Sequence, residues 1–260
     1  MHVAFSRTDH RPWPVPHGRW TWRQSWKDLL FAHWPVPASQ IRPLVPSGLT
    51  VQEFAGTSWV GVVPFRMSGV MRRPLPDLPW LSAFPELNLR LYVERDGKPG
   101  VWFLSLDAAN AVAVWAARRF FHLPYFLAEI AFCHRPDGFA FSSQRSGVVG
   151  RVAFRAHYRA SSATFEAKPG SLESFLAERY CLYAQAPGGA LYRADVHHVP
   201  WPLQEAVGEV EAADLMVPHG LQVHGPPILH FSRGVDVVVW PMERIAEQGN
   251  AAGSRRRLAV

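Results

Sequence analysis

Proline sets the first limit on what this chain can fold into. It occupies 23 of 260 positions, spread from end to end. Proline lacks a backbone N–H and fixes φ, which confines it to loops, strand edges and helix starts. A helical bundle is therefore excluded, and short elements joined by many turns are expected. The length suits one large domain, as is common for β-barrels of this size. Hydrophobic residues make up 48%, enough for a sizeable core. Charged residues are only 18%, against roughly 25% in an average domain. Much of the surface must be neutral or covered, and a homo-oligomer is one expected way of covering it.

Residues 1–18, with three prolines and no periodicity, read as an N-terminal arm. A single domain is expected over 19–245 and a flexible, Arg-rich tail over 246–260. Lys27 to Val36 is the first strand candidate, and Ser39 is placed to cap a short helix from Gln40 to Leu44. Leu49–Phe54 and Thr57–Val70 flank Ala55-Gly56 as a hairpin, and Arg72–Pro85, with four prolines, is a loop. Glu86 to Arg95 alternates cleanly, with Leu87, Leu89, Leu91 and Val93 on one face and Glu86, Asn88, Arg90, Tyr92 and Glu94 on the other. Asp96-Gly97 turns the chain into Val101–Leu106. Asp107 or Asn110 caps a helix over Ala111–Phe121, stopped by Pro124. Tyr125–His134 and Phe139–Gln144 flank the turn Arg135-Pro-Asp-Gly138. Val152–Arg159, Tyr180–Gln185, Ala190–Val199, Ile228–Phe231 and Val235–Trp240 are further strands, with a short helix from Ser171 to Arg179. About ten strands with two or three short helices make a mainly β chain, a β-rich α+β domain. A closed antiparallel barrel would bury its many strand edges.

The formal charge is +6, but Arg255, Arg256 and Arg257 in the tail carry half of it, and the other arginines are scattered. No nucleic-acid partner is expected. Cys133 and Cys181 each sit in an apolar run, where a buried inert thiol is the default. Residues Met1 to Arg23 show no apolar leader core, and no apolar stretch reaches the ~20 residues of a membrane span, so a cytoplasmic protein without membrane contact is expected.

Familiar catalytic signatures are missing: no G-x-S-x-G elbow, phosphate loop, H-E-x-x-H or dinucleotide fingerprint. His197-His198 would point to opposite faces of a strand, so no metal is expected. His33 reads as a packed core histidine. Arg151, Arg155, His157 and Arg159 read as a solvated face. The polar face of the Glu86 strand has two readings. On pattern alone it faces water, as half-wet antiparallel sheets do. In a barrel it lines the lumen and meets a ligand.

Several longer motifs favour the second reading. WKDLLFAHW over Trp26–Trp34, FAGTSWVGVVPF over Phe54–Phe65, ELNLRLYV over Glu86–Val93, GKPGVWFLSLD over Gly97–Asp107, FHLPY over Phe121–Tyr125 and ERY over Glu178–Tyr180 resemble the YqjF-like proteins, a bacterial family of unknown function. The resemblance runs from Trp26 to Trp240. That family is grouped with the acetoacetate decarboxylase-like superfamily, which implies a cone-shaped antiparallel barrel around a pocket. In the decarboxylases a proline is followed by two lysines, one forming a Schiff base and the other depressing its pKa. The matching place here reads Leu123-Pro124-Tyr125-Phe126, and tyrosine cannot form an imine. Only Lys27, Lys98 and Lys168 remain in the chain. Each sits where its ammonium form is favoured, whereas an active amine needs desolvation or a neighbouring cation. The resemblance also matches Glu86 to a pocket glutamate.

The function expected is that of a pocket protein acting on a small anionic metabolite without Schiff-base chemistry and without a cofactor. Glu86, Tyr125 and Glu129 are the expected catalytic groups, and Asn88, Arg90 and Arg118 the expected substrate-binding groups. A non-catalytic ligand-binding module and a structural subunit of a complex remain the alternatives, because fold alone does not fix function.

Overall fold

The computed structural model describes residues 2–75, 83–147 and 151–246. Thirteen strands run through them: β1 (Trp22–Val36), β2 (Thr50–Val51), β3 (Ser58–Arg72), β4 (Phe84–Arg95), β5 (Lys98–Ala108), β6 (Tyr125–Arg135), β7 (Gly138–Arg145), β8 (Ala153–Ala160), β9 (Cys181–Gln185), β10 (Leu191–His197), β11 (Leu203–Glu211), β12 (Ile228–Val239) and β13 (Glu243–Arg244). Short helices interrupt them at α1 (Ala38–Ile41), α2 (Ala111–Phe121), α3 (Leu172–Ala177) and α4 (Ala213–Met216).

The strands form one sheet that closes on itself twice. One circuit runs β5-β6-β7-β8-β11-β12-β1-β3-β4 and returns to β5 through the β4–β5 ladder. The other leaves β5 through β9 and β10 and rejoins the wall at β12. Closure removes most free strand edges, the reason a strand-rich chain favours it. The ladder is antiparallel except where β5 meets β6 and β9, which are parallel to it.

The strands β12, β1, β3 and β4 form a wall shared by both circuits, and it is covered on both faces. Leu30, Ala32 and Trp34 of β1, Val60 and Val62 of β3, and Leu87, Leu89 and Leu91 of β4 enter one core. Leu29 and Phe31, then Val63, Phe65 and Met67, then Phe84 enter a second core on the opposite side. β1 carries a bulge that makes this possible. Trp22 and Trp26 pack toward the second core at even positions, whereas Leu29 and Phe31 reach it at odd ones. The switch lies at Asp28, whose φ is 54°, within a register shift between Lys27 and Ala32. An extra residue in one strand inverts the alternation beyond it. Opposite Lys27, Gly234 has φ of 128°, and a Cβ there would stand 2.0 Å from the Trp26 carbonyl oxygen.

Several local expectations are corrected. The first strand begins at Trp22. Ala55 and Gly56 make a tight turn with positive φ, but β2 pairs with β4 and not with β3, so no long hairpin forms there. Pro37, not Ser39, precedes α1, and no side chain caps it. Asn110 caps α2 through hydrogen bonds from the N–H groups of Val112 and Ala113. Asp107 instead lies in β5, where it accepts from Arg145 Nε at 2.7 Å. β11, in which Gln204, three glutamates and Gly208 break up the apolar residues, is a further strand, and β12 is one continuous strand. Glu243 and Arg244 pair with β10 just ahead of the expected tail. Residues 247–260 of the expected tail, and 76–82 of the expected loop, lie outside the described residues. The N-terminal segment packs on the sheet, with Ala4 buried against Val238 and Trp240, and Arg11 donating to the Val196 carbonyl and to Asp195. Among the described residues no helix is long and apolar enough to cross a membrane.

The two thiols differ, which corrects the expectation for one of them. Cys133 is exposed on β6, because Ile130 and Phe132 turn toward the first core while the alternate positions Glu129, Ala131 and Cys133 face outward. Cys181 is buried, and burial pushes its thiol up to about 12. In the native protein, Cys133 is expected to react with a thiol reagent such as dithionitrobenzoate, and Cys181 only after unfolding. Equal reaction of both thiols in native protein would contradict this placement.

Candidate functional site

The polar face of β4 points into the second core, which corrects the reading of that face as solvent-exposed. Glu86, Asn88 and Arg90 are buried, at 2%, 7% and 8% exposure. They line a cavity of about 450 Å³ with walls that include Trp26, Phe31, Phe65, Leu106 and Trp201. A larger groove of about 660 Å³ lies elsewhere, between β8, β11 and α4. It is lined by charged residues such as Arg151 and Asp214, which pair with each other at 3.3 Å, and contains none of the candidate residues.

Tyr125 opens β6 immediately after Pro124, where the parallel ladder sets it beside Leu106. Its hydroxyl donates to Glu86 Oε2 at 2.9 Å. Burial in apolar surroundings pushes the Glu86 carboxyl up to about 8, helped by the nearby Asp107 charge and opposed by the Tyr125 hydrogen bond. Burial and the Glu86 charge hold the Tyr125 phenol well above its ordinary value. At neutral pH the pair is a protonated carboxyl beside a protonated phenol. The Tyr125 proton is engaged by Glu86, which leaves the carboxyl proton available to a ligand.

Toward the other end of β4 stand two arginines. Arg90 Nη2 donates to the Leu176 carbonyl at 2.9 Å, and its Nε to the Tyr92 hydroxyl at 3.3 Å. That hydroxyl also meets His33 Nε2 at 2.6 Å, and His33 is fully buried in the core. Arg179, just past α3, donates from Nε to the Phe175 carbonyl at 2.7 Å and from Nη1 to Gln52. Desolvation lowers its guanidinium to about 10. Among the described residues neither arginine meets a carboxylate within ion-pair distance. Glu86 does not pair with Arg90, and its hydrogen-bond partner is Tyr125. Arg179 lies in the ERY motif, but read as the end of a helix it gave no signal of facing a cavity.

Other polar atoms of the cavity residues also lack partners. Asn88 Oδ1, Arg179 Nη2, Trp26 Nε1 and Trp201 Nε1 are buried with no hydrogen-bond partner among the described residues. Buried polar groups are nearly always paired, so four orphans on one cavity point to a polar ligand or water within it. His198 also lines the cavity and is drawn down to about 4 by burial, so it is neutral.

Two expected site residues lie elsewhere. Glu129 is exposed, four positions beyond Tyr125. Only Tyr125–Leu127 pair with β5; from Ala128 onward β6 pairs with β7 and leaves the chamber. Arg118 is exposed on α2 and donates to the Tyr125 carbonyl, so it steadies the backbone beneath Tyr125 and does not reach the cavity. Phe126 faces away, beneath Arg145 at 4.2 Å. None of the three lysines lines the cavity. Among the described residues no group of three or more His, Cys, Asp or Glu side chains is arranged to hold a metal ion.

Comparison with known proteins matches residues 23–236 to the model of the DUF2071 family, described as "Uncharacterized conserved protein". The chain is 44% identical over 231 residues to the uncharacterized protein YqjF of Bacillus subtilis (strain 168), covering 88% of this chain and 95% of that protein. Similar solved structures include acetoacetate decarboxylase from Legionella pneumophila, with TM-score 0.62, 11% identity and coverage of 95% of this chain and 97% of that one. The enduracididine biosynthesis enzyme MppR complexed with pyruvate gives TM-score 0.63 and 14% identity, covering 90% and 93%. At these identities the structural matches show a shared fold, that of the acetoacetate decarboxylase-like proteins.

The Glu86 carboxyl makes stability depend on pH. Its folded value of about 8 lies above its ordinary 4.5, so the folded state binds more protons between the two. The group's contribution is therefore most favourable below about pH 4.5 and is lost as pH rises toward 8. Glu86→Gln keeps an acceptor for Tyr125 and removes the titration. Urea unfolding from pH 5 to 9 is expected to show a wild-type loss, relative to Glu86→Gln, on the order of 3–5 kcal/mol at about 1.4 kcal/mol per pH unit. Parallel curves for the two proteins would show that Glu86 titrates normally.

Proposed function

The chain belongs to the DUF2071 family of uncharacterized conserved proteins, and from that premise we propose that it binds a small anionic metabolite in the chamber and moves a proton on it without Schiff-base chemistry. One observation carries this reading. A buried, protonated Glu86 held by Tyr125 shares an apolar cavity with two arginines that meet no carboxylate among the described residues. Leaving a buried cation unpaired costs several kcal/mol, roughly the penalty of breaking a buried ion pair, and an anionic ligand would remove that cost. Arg90 and Arg179 are the groups proposed to hold the anion, and Asn88 to orient it. Glu86 is proposed to give its proton to a carbonyl or leaving-group oxygen and recover it afterwards, with Tyr125 keeping the carboxyl in place. This chemistry suits proton transfer next to a carbonyl, or hydrolysis. Arg118 and Glu129 have no part in it. That MppR is complexed with pyruvate supports a small carboxylate-bearing ligand for a chamber of this fold. The absence of lysine from the chamber argues against decarboxylation through an imine.

A panel of oxo- and ester-bearing carboxylates, followed by NMR in D2O for deuterium uptake beside the carbonyl and for hydrolysis, tests this. Turnover is expected to fall as pH rises through about 8, where the acid form of Glu86 is lost. Glu86→Gln is expected to lower it by at least about 100-fold. Incubation with acetoacetate and borohydride is expected to leave the protein mass unchanged. Binding without turnover would make the protein a ligand-binding module, and a borohydride-trapped adduct on any lysine would overturn the mechanism.

A further inference from the structure

The size and polarity of the chamber narrow the ligand further, on the premise that the chamber is the ligand site. A volume of about 450 Å³, at about 30 Å³ per water-sized group, holds roughly ten to fifteen non-hydrogen atoms. A three- or four-carbon oxo acid, with six or seven non-hydrogen atoms, would leave about half of it unfilled. Its polar groups are also segregated. Arg90 and Glu86 lie four residues apart on β4, a strand distance of about 13 Å at ~3.3 Å per residue. Arg90 and Arg179 sit with Tyr92, Phe175 and Leu176 at one end. Glu86 and Tyr125 sit with Phe84 and Leu106 at the other. Trp26, Phe31 and Trp201 form an aromatic wall of the same chamber, with Trp26 and Trp201 stacked and Phe31 edge-on to Trp201.

We infer that the ligand is an amphipathic monocarboxylate. Its carboxylate lies on Arg90 and Arg179, its long apolar or aromatic body lies along Trp26, Phe31 and Trp201, and the end facing Glu86 is uncharged. Four of the six guanidinium nitrogens already serve Leu176, Tyr92, Phe175 and Gln52. The two nitrogens without a hydrogen bond among the described residues, Arg90 Nη1 and Arg179 Nη2, match the two oxygens of a carboxylate better than the three of a phosphate. A second carboxylate at the far end would lie beside Glu86. Among the described residues the only other cation of the cavity lining is Arg72, which is exposed.

Calorimetric titration of the full chain with a ladder of straight-chain acids from acetate to dodecanoate tests the inference. Affinity is expected to rise about fourfold per methylene until the chamber is full, as burying each CH₂ predicts. Octanoate is expected to bind at least tenfold more tightly than octanol, octyl phosphate or the eight-carbon dicarboxylate suberate. Arg179→Met is expected to abolish the preference of octanoate over octanol. Should that variant fail to fold, the wild-type ladder decides alone. Binding confined to the shortest acids, or equal binding of suberate and octanoate, would overturn the amphipathic ligand and leave the anion-binding chamber standing. Binding of octanol as tightly as octanoate would overturn the carboxylate head. No response to any acid would overturn both this inference and the proposed function.

Discussion

Burial of β4 on both faces governs the site. An alternating strand ordinarily presents its polar face to water, where Glu86 and Arg90 would be solvated and ordinary. Here β4 belongs to a wall with a core on each side, and its apolar residues Leu87, Leu89 and Leu91 occupy one of them. Its polar residues are left facing the other. Moving Glu86 to the opposite face by a one-residue slip would place Leu87 in the chamber and a carboxyl in the first core, so packing fixes the register as well as the chemistry. The bulge at Asp28 serves the same wall, since it lets β1 supply Trp26 and Phe31 to the chamber despite their opposite parity.

Burial has opposite effects at the two ends of that strand. A carboxyl can escape the cost of a buried charge by keeping its proton, and Glu86 does so. Arginine has no such escape at accessible pH, because a guanidinium drawn down to about 10 is still charged at neutrality. The carbonyls of Leu176 and Phe175 solvate Arg90 and Arg179 but do not neutralise them. The chamber thus carries an unbalanced positive charge at one end and a proton reservoir at the other. That asymmetry is what separates it from a simple apolar core.

Much of this was legible in the sequence. The alternation from Glu86 to Arg95 gave β4, Asn110 gave the start of α2, and Pro124 marked where Tyr125 begins its strand. Glu86, Asn88, Arg90 and Tyr125 line one chamber, although the alternation alone reads the Glu86 face as facing water. What periodicity cannot give is the identity of the covering layer: it shows that two faces differ, while the second core comes from Trp201, Val196 and α2, far away in sequence. Glu129 misled for a related reason, since alternation along β6 continues after the strand has left the wall. Arg179 was hidden by the helical look of residues 171–179, although α3 stops at Ala177. β11 was hidden by its polar residues and Gly208, where a Cβ would stand 2.2 Å from the His157 carbonyl oxygen of β8. Close backbone approach, not apolar content, makes that strand.

The account rests on Glu86 holding its proton at neutral pH inside the chamber. Carbon-13 NMR of protein labelled at the glutamate side-chain carboxyls, with Glu86→Gln to assign the resonance, measures this directly. One carboxyl, missing from the variant, is predicted to titrate near 8. A Glu86 midpoint close to the ordinary 4.5 would mean that the carboxyl is hydrated and charged, and the chamber as described here would not exist.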